Sequence, residues 1–333
     1  MDAGGAGLAK APHSREARGA GMPCYGPLKG YRGPLNKNGK RPVVFNRRYA
    51  VEPIEFIDVP CGQCVGCRLE RSRQWAMRCM HEVTLHEDNC FVTLTYDDAS
   101  LDNWKARNIP AHSRYSVNVR EFQLFMKRLR KSVGADVRVF YCGEYGAKFG
   151  RPHYHAILFN LDFGDKYAWS KSNDQVLYRS PTLEKAWPFG YSSIGSATFE
   201  SAAYCARYIL KKVTGDRADN HYRRVDPETG EVFENEPEFA RMSKGIGRGW
   251  YERFKRDAYP HDAVWLRGRW MKPPKFYDGL YEVEMPDDMA RIKNARRAAA
   301  LTHTDDQSSR RLRDREVCQL ARLERLPRNM ENM

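Results

Sequence analysis

Three runs of β-branched and aromatic residues stand out along the chain. The first, Cys90 to Tyr96, is closed by Asp97 and Asp98. The second spans Val137 to Tyr145, and the third is Arg151-Pro152-His153-Tyr154-His155-Ala156-Ile157-Leu158-Phe159. Each predicts a strand, and Gly146 to Gly150 predicts the hairpin that joins the last two. Between the first two runs, Phe122, Phe125, Met126 and Leu129 recur at i, i+3, i+4 and i+7 within Arg120 to Lys131. That is the period of an amphipathic helix, here with a basic outer side. A second helix is predicted over 68–86, with Leu69, Ala76, Met80 and Val83 on one stripe. Its Arg68, Arg71, Arg73 and Arg78 lie mostly off that stripe and read as a solvated face. A third helix, over 199–213, places Ala202, Cys205, Ala206, Ile209 and Val213 toward a core. Tyr204 and Tyr208 fall on another, non-core face one turn apart, with Lys211 and Lys212 a turn further on. Residues 160–198 show no period and read as loop-rich. Val225 to Val232 reads as a hairpin turn, and from about Asp287 the chain reads as charged helix. The order β-α-β-β with an antiparallel pair predicts an α+β fold, an antiparallel sheet with helices packed on it.

The third strand carries the first chemical signal. Residues two apart on a strand share a face, so His153 and His155 point the same way. Tyr154, Ala156 and Leu158 between and beyond them are apolar, which makes the strand central with both faces covered. Two neutral imidazoles converging from a rigid strand form half of a metal site. Hard divalent cations such as Mg²⁺ and Mn²⁺ require oxygen ligands as well. Glu144, nine residues before His153 on the preceding strand, is the candidate third ligand. Asp97 and Asp98, at the end of the first strand, compete with it.

Charge changes the picture next. Among 333 residues, 56 Lys and Arg face 42 Asp and Glu, a net charge of +14 that favours a polyanionic partner. No apolar run approaches the ~18 residues of a membrane span, and the first twenty residues lack the apolar segment of a signal peptide. Nine cysteines, odd in number and partly clustered, fit a reducing compartment. Three of them, Cys61, Cys64 and Cys67, stand at C-x2-C-x2-C spacing with glycines between, as tight turns around one ion require. A structural Zn²⁺ site needs a fourth sulfur, for which Cys24 is the first candidate and Cys79 the second; reduced, unliganded thiols are the alternative. A bacterial-type iron–sulfur run would place a cysteine where Arg71 stands. Gly245-Ile246-Gly247 neither follows a strand nor opens a helix with an acidic partner, which excludes a dinucleotide fingerprint.

Phenols beside a histidine-bound cation suggest phosphoryl transfer. A tyrosine hydroxyl ordinarily ionises near pH 10, so a cation on the phosphate and a nearby Lys211 or Lys212 would assist its attack. Of the two, Tyr208 is expected to act first, because it lies closer to the lysines along the helix.

Phe91 to Tyr96, then Pro152-His153-Tyr154-His155, then Tyr204-x3-Tyr208-x2-Lys211 resemble the three ordered motifs of HUH endonucleases. The two-tyrosine form is similar to that of rolling-circle replication initiators. Pro60 to Cys64 through Gln74-Trp75, Gly143 to Gly146, Gly245 to Arg248 and Pro273 to Asp278 resemble gokushovirus-type microvirus initiators more narrowly. The resemblance spans about residues 22–285. It implies a central five-stranded antiparallel sheet of ferredoxin-like or RRM-like type, with a Cys-rich N-terminal segment. It implies nicking of one strand of circular viral DNA at an origin, with Mg²⁺ or Mn²⁺ as cofactor. Single-stranded and duplex origin DNA, host helicase and host polymerase are the implied partners, in the host bacterial cytoplasm. The chain then divides into a disordered extension (1–21, with Met22 as a second possible start), a Cys-rich segment and helix (22–86), an endonuclease domain (87–285) and a charged helical tail (286–333). A related transposase or relaxase, and a non-catalytic zinc-bearing DNA-binding protein, are the competing readings.

Overall fold

The computed structural model describes residues 24–37, 41–134, 136–146, 150–172, 175–208, 218–225, 229–302 and 304–325. The expected extension 1–21, Lys211 and Lys212 lie outside them, as does the side chain of Tyr208. Strands β1 (Leu28–Arg32), β2 (Val43–Val44) and β3 (Ile57–Val59) pair in the order β2-β1-β3 and precede helix α1 (Val65–Val83). There follow β4 (Asn89–Tyr96), α2 (Asp98–Asp102), α3 (Val119–Val133), β5 (Arg138–Tyr145) and β6 (Pro152–Phe159). Next come β7 (Tyr167–Ser172), β8 (Gln175–Arg179), α4 (Pro181–Ala186), β9 (Gly190–Ser196) and α5 (Phe199–Tyr208). After α6 (Ala218–Tyr222), the short strands β10 (Arg223–Val225), β11 (Val232–Glu234) and β12 (Phe239–Met242) lead to α7 (Arg248–Ala258). The hairpin β13 (Val264–Leu266) and β14 (Arg269–Met271) and helices α8 (Lys275–Glu284), α9 (Pro286–Leu301) and α10 (Ser309–Glu324) complete the order. Two compact units result: residues 72–257, and the described residues up to 71 together with those from 258 to 325.

In the first unit the strands form one antiparallel sheet in the order β12-β5-β6-β4-β9-β8-β7. The α+β class is as expected, but seven strands replace the expected five. Residues 160–198, read as loop-rich, contribute three of them. The reason is compositional: Gly190–Ser196 is Gly-Tyr-Ser-Ser-Ile-Gly-Ser, with few strand-forming side chains, and it is held by pairing along the whole of β4. The strand bearing the histidines is central, between β5 and β4, as its two apolar faces required.

Each face of the sheet has its own core. On one side Cys90, Val92, Leu94, Tyr96, Tyr154, Ala156 and Leu158 meet Phe122, Phe125, Met126 and Leu129 of α3. The α3 stripe is thus the predicted one. Asn118 starts the helix by accepting hydrogen bonds from the backbone N–H groups of Arg120 and Glu121, and Gly134, at φ 66°, ends it. Each of these large side chains contributes about 1.5–3 kcal/mol by leaving water. A buried ion pair sits in the same layer. Arg107 donates to both carboxylate oxygens of Glu121, at 2.8 and 2.9 Å, and Glu121 accepts from the Tyr96 hydroxyl at 3.0 Å.

On the opposite face Phe91, Phe140, Cys142, Ile157 and Phe159 pack under Ala76 and Cys79 of α1 and Ala202, Cys205 and Ala206 of α5. Ser72 of α1 donates to the backbone of Ala203 at 2.9 Å, tying these two helices together. Arg78, read as part of a solvated face, is instead buried and donates twice to the carbonyl of Ile246. Glu82 accepts from the N–H of Gly247 at 2.6 Å and pairs with Arg138 at 2.7 Å. The Gly245 to Arg248 motif is therefore a backbone seat for α1, with both glycines at positive φ.

In the second unit, Tyr259 stacks on Tyr281 with centroids 3.9 Å apart. Arg296 of α9 bridges Asp262 and Asp278, and Asp278 also accepts from the Tyr259 hydroxyl at 3.0 Å. Asp278 thus gives the Pro273 to Asp278 motif an architectural task. Among the described residues no helix is long and apolar enough to cross a membrane.

Candidate active site

Cross-strand partners share a face of a sheet. The register therefore writes two rows across four strands. Tyr191 of β9 opposes Thr95 of β4, Thr95 opposes His153 of β6, and His153 opposes Glu144 of β5. One step along, Ser193 opposes Thr93, Thr93 opposes His155, and His155 opposes Cys142. The short connection from β5 to β6 sets this register, with Gly146 donating to the carbonyl of Arg151 at 2.9 Å.

The Glu144 carboxylate is the meeting point. Its Oε1 lies 3.0 Å from His153 Nε2, 2.8 Å from His155 Nε2 and 3.1 Å from the Tyr204 hydroxyl, which donates to it. Donor atoms of Glu144, His153 and His155 all lie within 4.8 Å of one another, the spacing of ligands to one ion. Asp97 and Asp98 do not join them. Asp97 caps α2 by accepting from Ser100 N at 2.7 Å, and exposed Asp98 pairs with Arg151.

The rear of each imidazole is held. His153 Nδ1 lies 3.0 Å from the carbonyl of Arg151, which can only accept, so that nitrogen carries the proton. A neutral His153 then turns its Nε2 lone pair toward the carboxylate. Two acceptors 3.0 Å apart require positive charge between them, from a second ring proton or a cation. His155 Nδ1 meets the Thr93 hydroxyl at 3.0 Å. Such rear partners orient ligating histidines and fix their tautomers. Burial pushes the Glu144 carboxyl up, yet the hydrogen bonds and charge of His153 and His155 more than offset this and hold it at about 2. The donor set is of the two-histidine, one-carboxylate type, which leaves coordination positions open for substrate oxygens.

The structure corrects the reading of α5. Its stripe Ala202, Cys205, Ala206 is buried as expected, but Tyr204 is only 5% exposed and belongs to the same core. Its ring meets His155 edge-on at 4.9 Å between centroids. The reason is that α5 lies across the histidine face of the sheet, so the tyrosine flank is inward too. Thr93 was not singled out from the sequence. Its position opposite His155 needed the register of β4 on β6, which neither strand's composition reveals.

The cysteines form a second group. Cys24, Cys61, Cys64 and Cys67 bring their sulfurs within 4.8 Å of one another. Cys24 is the fourth member, while Cys79 is buried in the core beside Cys205. Backbone N–H groups point at the sulfurs, Cys61 to Cys24 at 3.2 Å and Tyr25 to Cys64 at 3.3 Å. Burial raises the Cys64 thiol, but the N–H groups of Cys67 and Tyr25 outweigh it and bring it to about 7. Four converging sulfurs with peptide donors suit a soft divalent cation.

Fold and site together define an α+β protein whose central antiparallel sheet carries a two-histidine, one-carboxylate centre with an adjoining phenol. Residues 89–213 match the family model for the replication-associated protein ORF2, a span that contains every member of this centre. The chain is 33% identical over 259 residues to replication-associated protein ORF2 of Spiroplasma virus 4, covering 73% of this chain and 72% of that one. It is 28% identical over 278 residues to replication-associated protein VP4 of Bdellovibrio phage phiMH2K, covering 80% and 79%. Replication-associated protein ORF4 of Chlamydia phage 1 is 34% identical over 163 residues, covering 46% and 38%. No solved structure matches. The chain belongs to the replication-associated protein family of these small phages, in keeping with its resemblance to microvirus-type initiators.

Proposed function

We propose that this protein initiates rolling-circle replication by nicking one strand of circular phage DNA at its origin. The observation that carries this reading is the convergence of Glu144, His153, His155 and the Tyr204 hydroxyl on one point of the sheet. His153, His155 and Glu144 would hold Mg²⁺ or Mn²⁺, which when bound withdraws charge from a phosphodiester and lowers the cost of in-line attack. Tyr204 supplies the nucleophile. Its oxygen bonds to phosphorus as the bond to the 3′ oxygen breaks, leaving a 5′-phosphotyrosine and a 3′-hydroxyl primer, and the phenolic proton passes to solvent. The Glu144 carboxylate, ionised down to about pH 2, orients the phenol rather than taking its proton at neutral pH. Because one phosphoester replaces another, a second transfer through Tyr208 rejoins the displaced strand without a nucleotide cofactor. Lys211 and Lys212 offset charge on the phosphate. This order places Tyr204 first, in contrast to the expectation from the lysine spacing, because its hydroxyl reaches the carboxylate. Cys24, Cys61, Cys64 and Cys67 hold a structural Zn²⁺. Single-stranded and duplex origin DNA are the direct partners, host helicase and polymerase the later ones, in the infected cell's cytoplasm.

Covalent trapping tests the reading. The protein is mixed with labelled single-stranded DNA from its replicon and Mn²⁺, then denatured, as wild type, Tyr204→Phe, Tyr208→Phe and the double variant. A labelled protein band lost in Tyr204→Phe and in the double variant is expected. Exchange of both His153 and His155 for Ala should abolish the band and leave salt-sensitive DNA binding in place. No band in any variant, across metals and origin fragments, overturns the proposal in favour of a zinc-bearing binding protein. One zinc per chain, lost with folding of residues 24–71 on chelation, is expected of the cysteine group.

A further inference from the structure

The row that ends in the metal-site residues continues past them. From Glu144 it runs through His153 and Thr95 to Tyr191, and β8 and β7 extend the sheet beyond β9. On this extension lies a groove of about 450 Å³, floored by Thr93, Thr95 and Ser193 and walled by Tyr191, Trp169 and Arg179. Two of its walls are unusual for a protein surface. Tyr191 is 63% exposed and Trp169 60% exposed, although both are large aromatic residues. A bulge explains how Trp169 comes to stand there. Ala168 pairs with Tyr178 and Ser170 with Leu177, so Trp169 is the extra residue that the pairing leaves over. Bulges re-aim a side chain at the expense of a ladder hydrogen bond. The Arg179 guanidinium lies 4.7 Å from the Trp169 ring centroid, and exposed Lys171 borders the same groove.

We propose that this groove is a single-stranded DNA subsite in which bases flanking the scissile phosphate stack on Tyr191 and Trp169, with Lys171 and Arg179 drawing the backbone. This deepens the cleavage reading and rests on it for the position of the phosphate. Exposed aromatic faces interleaved with cations on a sheet are the chemistry that binds unpaired nucleotides without sequence readout. Bases paired in a duplex present edges, not faces, and cannot stack there. The volume suits one or two nucleotides, within the range of roughly 300–1,000 Å³ that holds small ligands. Adjacent strands lie about 4.8 Å apart, so Tyr191 stands two strands, roughly 10 Å, from His153, within reach of a neighbouring nucleotide. The chain's +14 charge supplies the general attraction, and the groove supplies the preference for unpaired bases.

The test uses the full chain in EDTA, where no strand is cut. Affinity for a fluorescent oligothymidylate of about fifteen nucleotides is measured by anisotropy for wild type, Trp169→Ala, Tyr191→Ala and Trp169→Phe. Each alanine variant should weaken binding about 5- to 150-fold, the value of one base–aromatic stack, and Trp169→Phe should retain most of the affinity. A fully paired hairpin should compete poorly. In parallel, an oligonucleotide carrying 5-iododeoxyuridine is photo-crosslinked to the wild-type protein, and adducts are expected at Trp169 or Tyr191. Alanine variants within about 2-fold of wild type, equal competition by the hairpin, or adducts mapping only elsewhere would each overturn the subsite. Crosslinking needs no variant and so decides the matter even where one fails to fold. Failure of covalent trapping with these binding losses intact would sink the cleavage reading and not the groove; trapping without the losses would do the reverse.

Discussion

Thr93→Val is the sharpest probe of how the metal centre is built. Valine keeps the shape of threonine, so no cavity opens at this buried position on β4; only the hydroxyl 3.0 Å from His155 Nδ1 is lost. Two estimates of the cost agree. Removing the rear partner of a ligating histidine typically costs 10–100-fold in metal affinity or activity, about 1.4–2.7 kcal/mol. Stranding a buried polar nitrogen costs about 1–3 kcal/mol. The expected result is a 10–100-fold rise in the Mn²⁺ concentration that gives half-maximal cleavage of a labelled single strand, with activity recovering at saturating Mn²⁺. Binding of Mn²⁺ without DNA should shift by the same factor. Because Thr93 also floors the groove, DNA affinity in EDTA is measured alongside and should change less than about 2-fold. An unchanged Mn²⁺ midpoint would refute the reasoning: packing against Phe91, stacked at 5.6 Å, and against Tyr204 would then be enough to orient the ring.

Arg107→Ala should lower the unfolding free energy by about 3–5 kcal/mol in urea titrations, because it leaves Glu121 buried and unpaired. Arg107→Met with Glu121→Leu should recover most of that loss, and a single substitution costing under about 1 kcal/mol would contradict it. Gly190→Ala should destabilise by about 2 kcal/mol or more, since φ is 147° and an added Cβ would lie 2.4 Å from the backbone of Asp97 and Thr95. Gly164→Ala, with open space around it, is the control. The Glu144 carboxyl falls from its ordinary 4.5 to about 2 on folding, so its contribution to metal-free stability is complete above pH 4.5 and fades as pH drops toward 2. The stability gap between wild type and Glu144→Gln in EDTA should therefore narrow from pH 5 to pH 3; a gap that widens would refute the sign.

What the sequence made legible follows how local the determining forces are. His153, His155 and Glu144 lie within one hairpin, and ten residues of chain with a tight turn define their register before any long-range packing is known. The α3 stripe was equally plain, because four apolar residues at helical spacing admit one inward face. Cys24 was reached only as a candidate, because joining it to Cys61 requires the chain to return across 37 residues. Tyr204 shows the limit of periodicity. A helix has one stripe only when it covers one surface, and α5 lies against both the core and the histidine face, so a tyrosine off the aliphatic stripe is buried all the same. The groove was invisible for a related reason. Gly190–Ser196 has little strand propensity and is made a strand by pairing with β4, a partner nearly a hundred residues earlier in the chain. Trp169 reads in the sequence as one aromatic in a patch without period, and its exposure comes from a bulge that only the register of β7 on β8 creates. Chemistry that needs ligands at fixed distances is thus written locally, where a hairpin can hold it. The surface that would grip a flexible strand tolerates looser placement, and so is assembled from distant segments whose own composition says little.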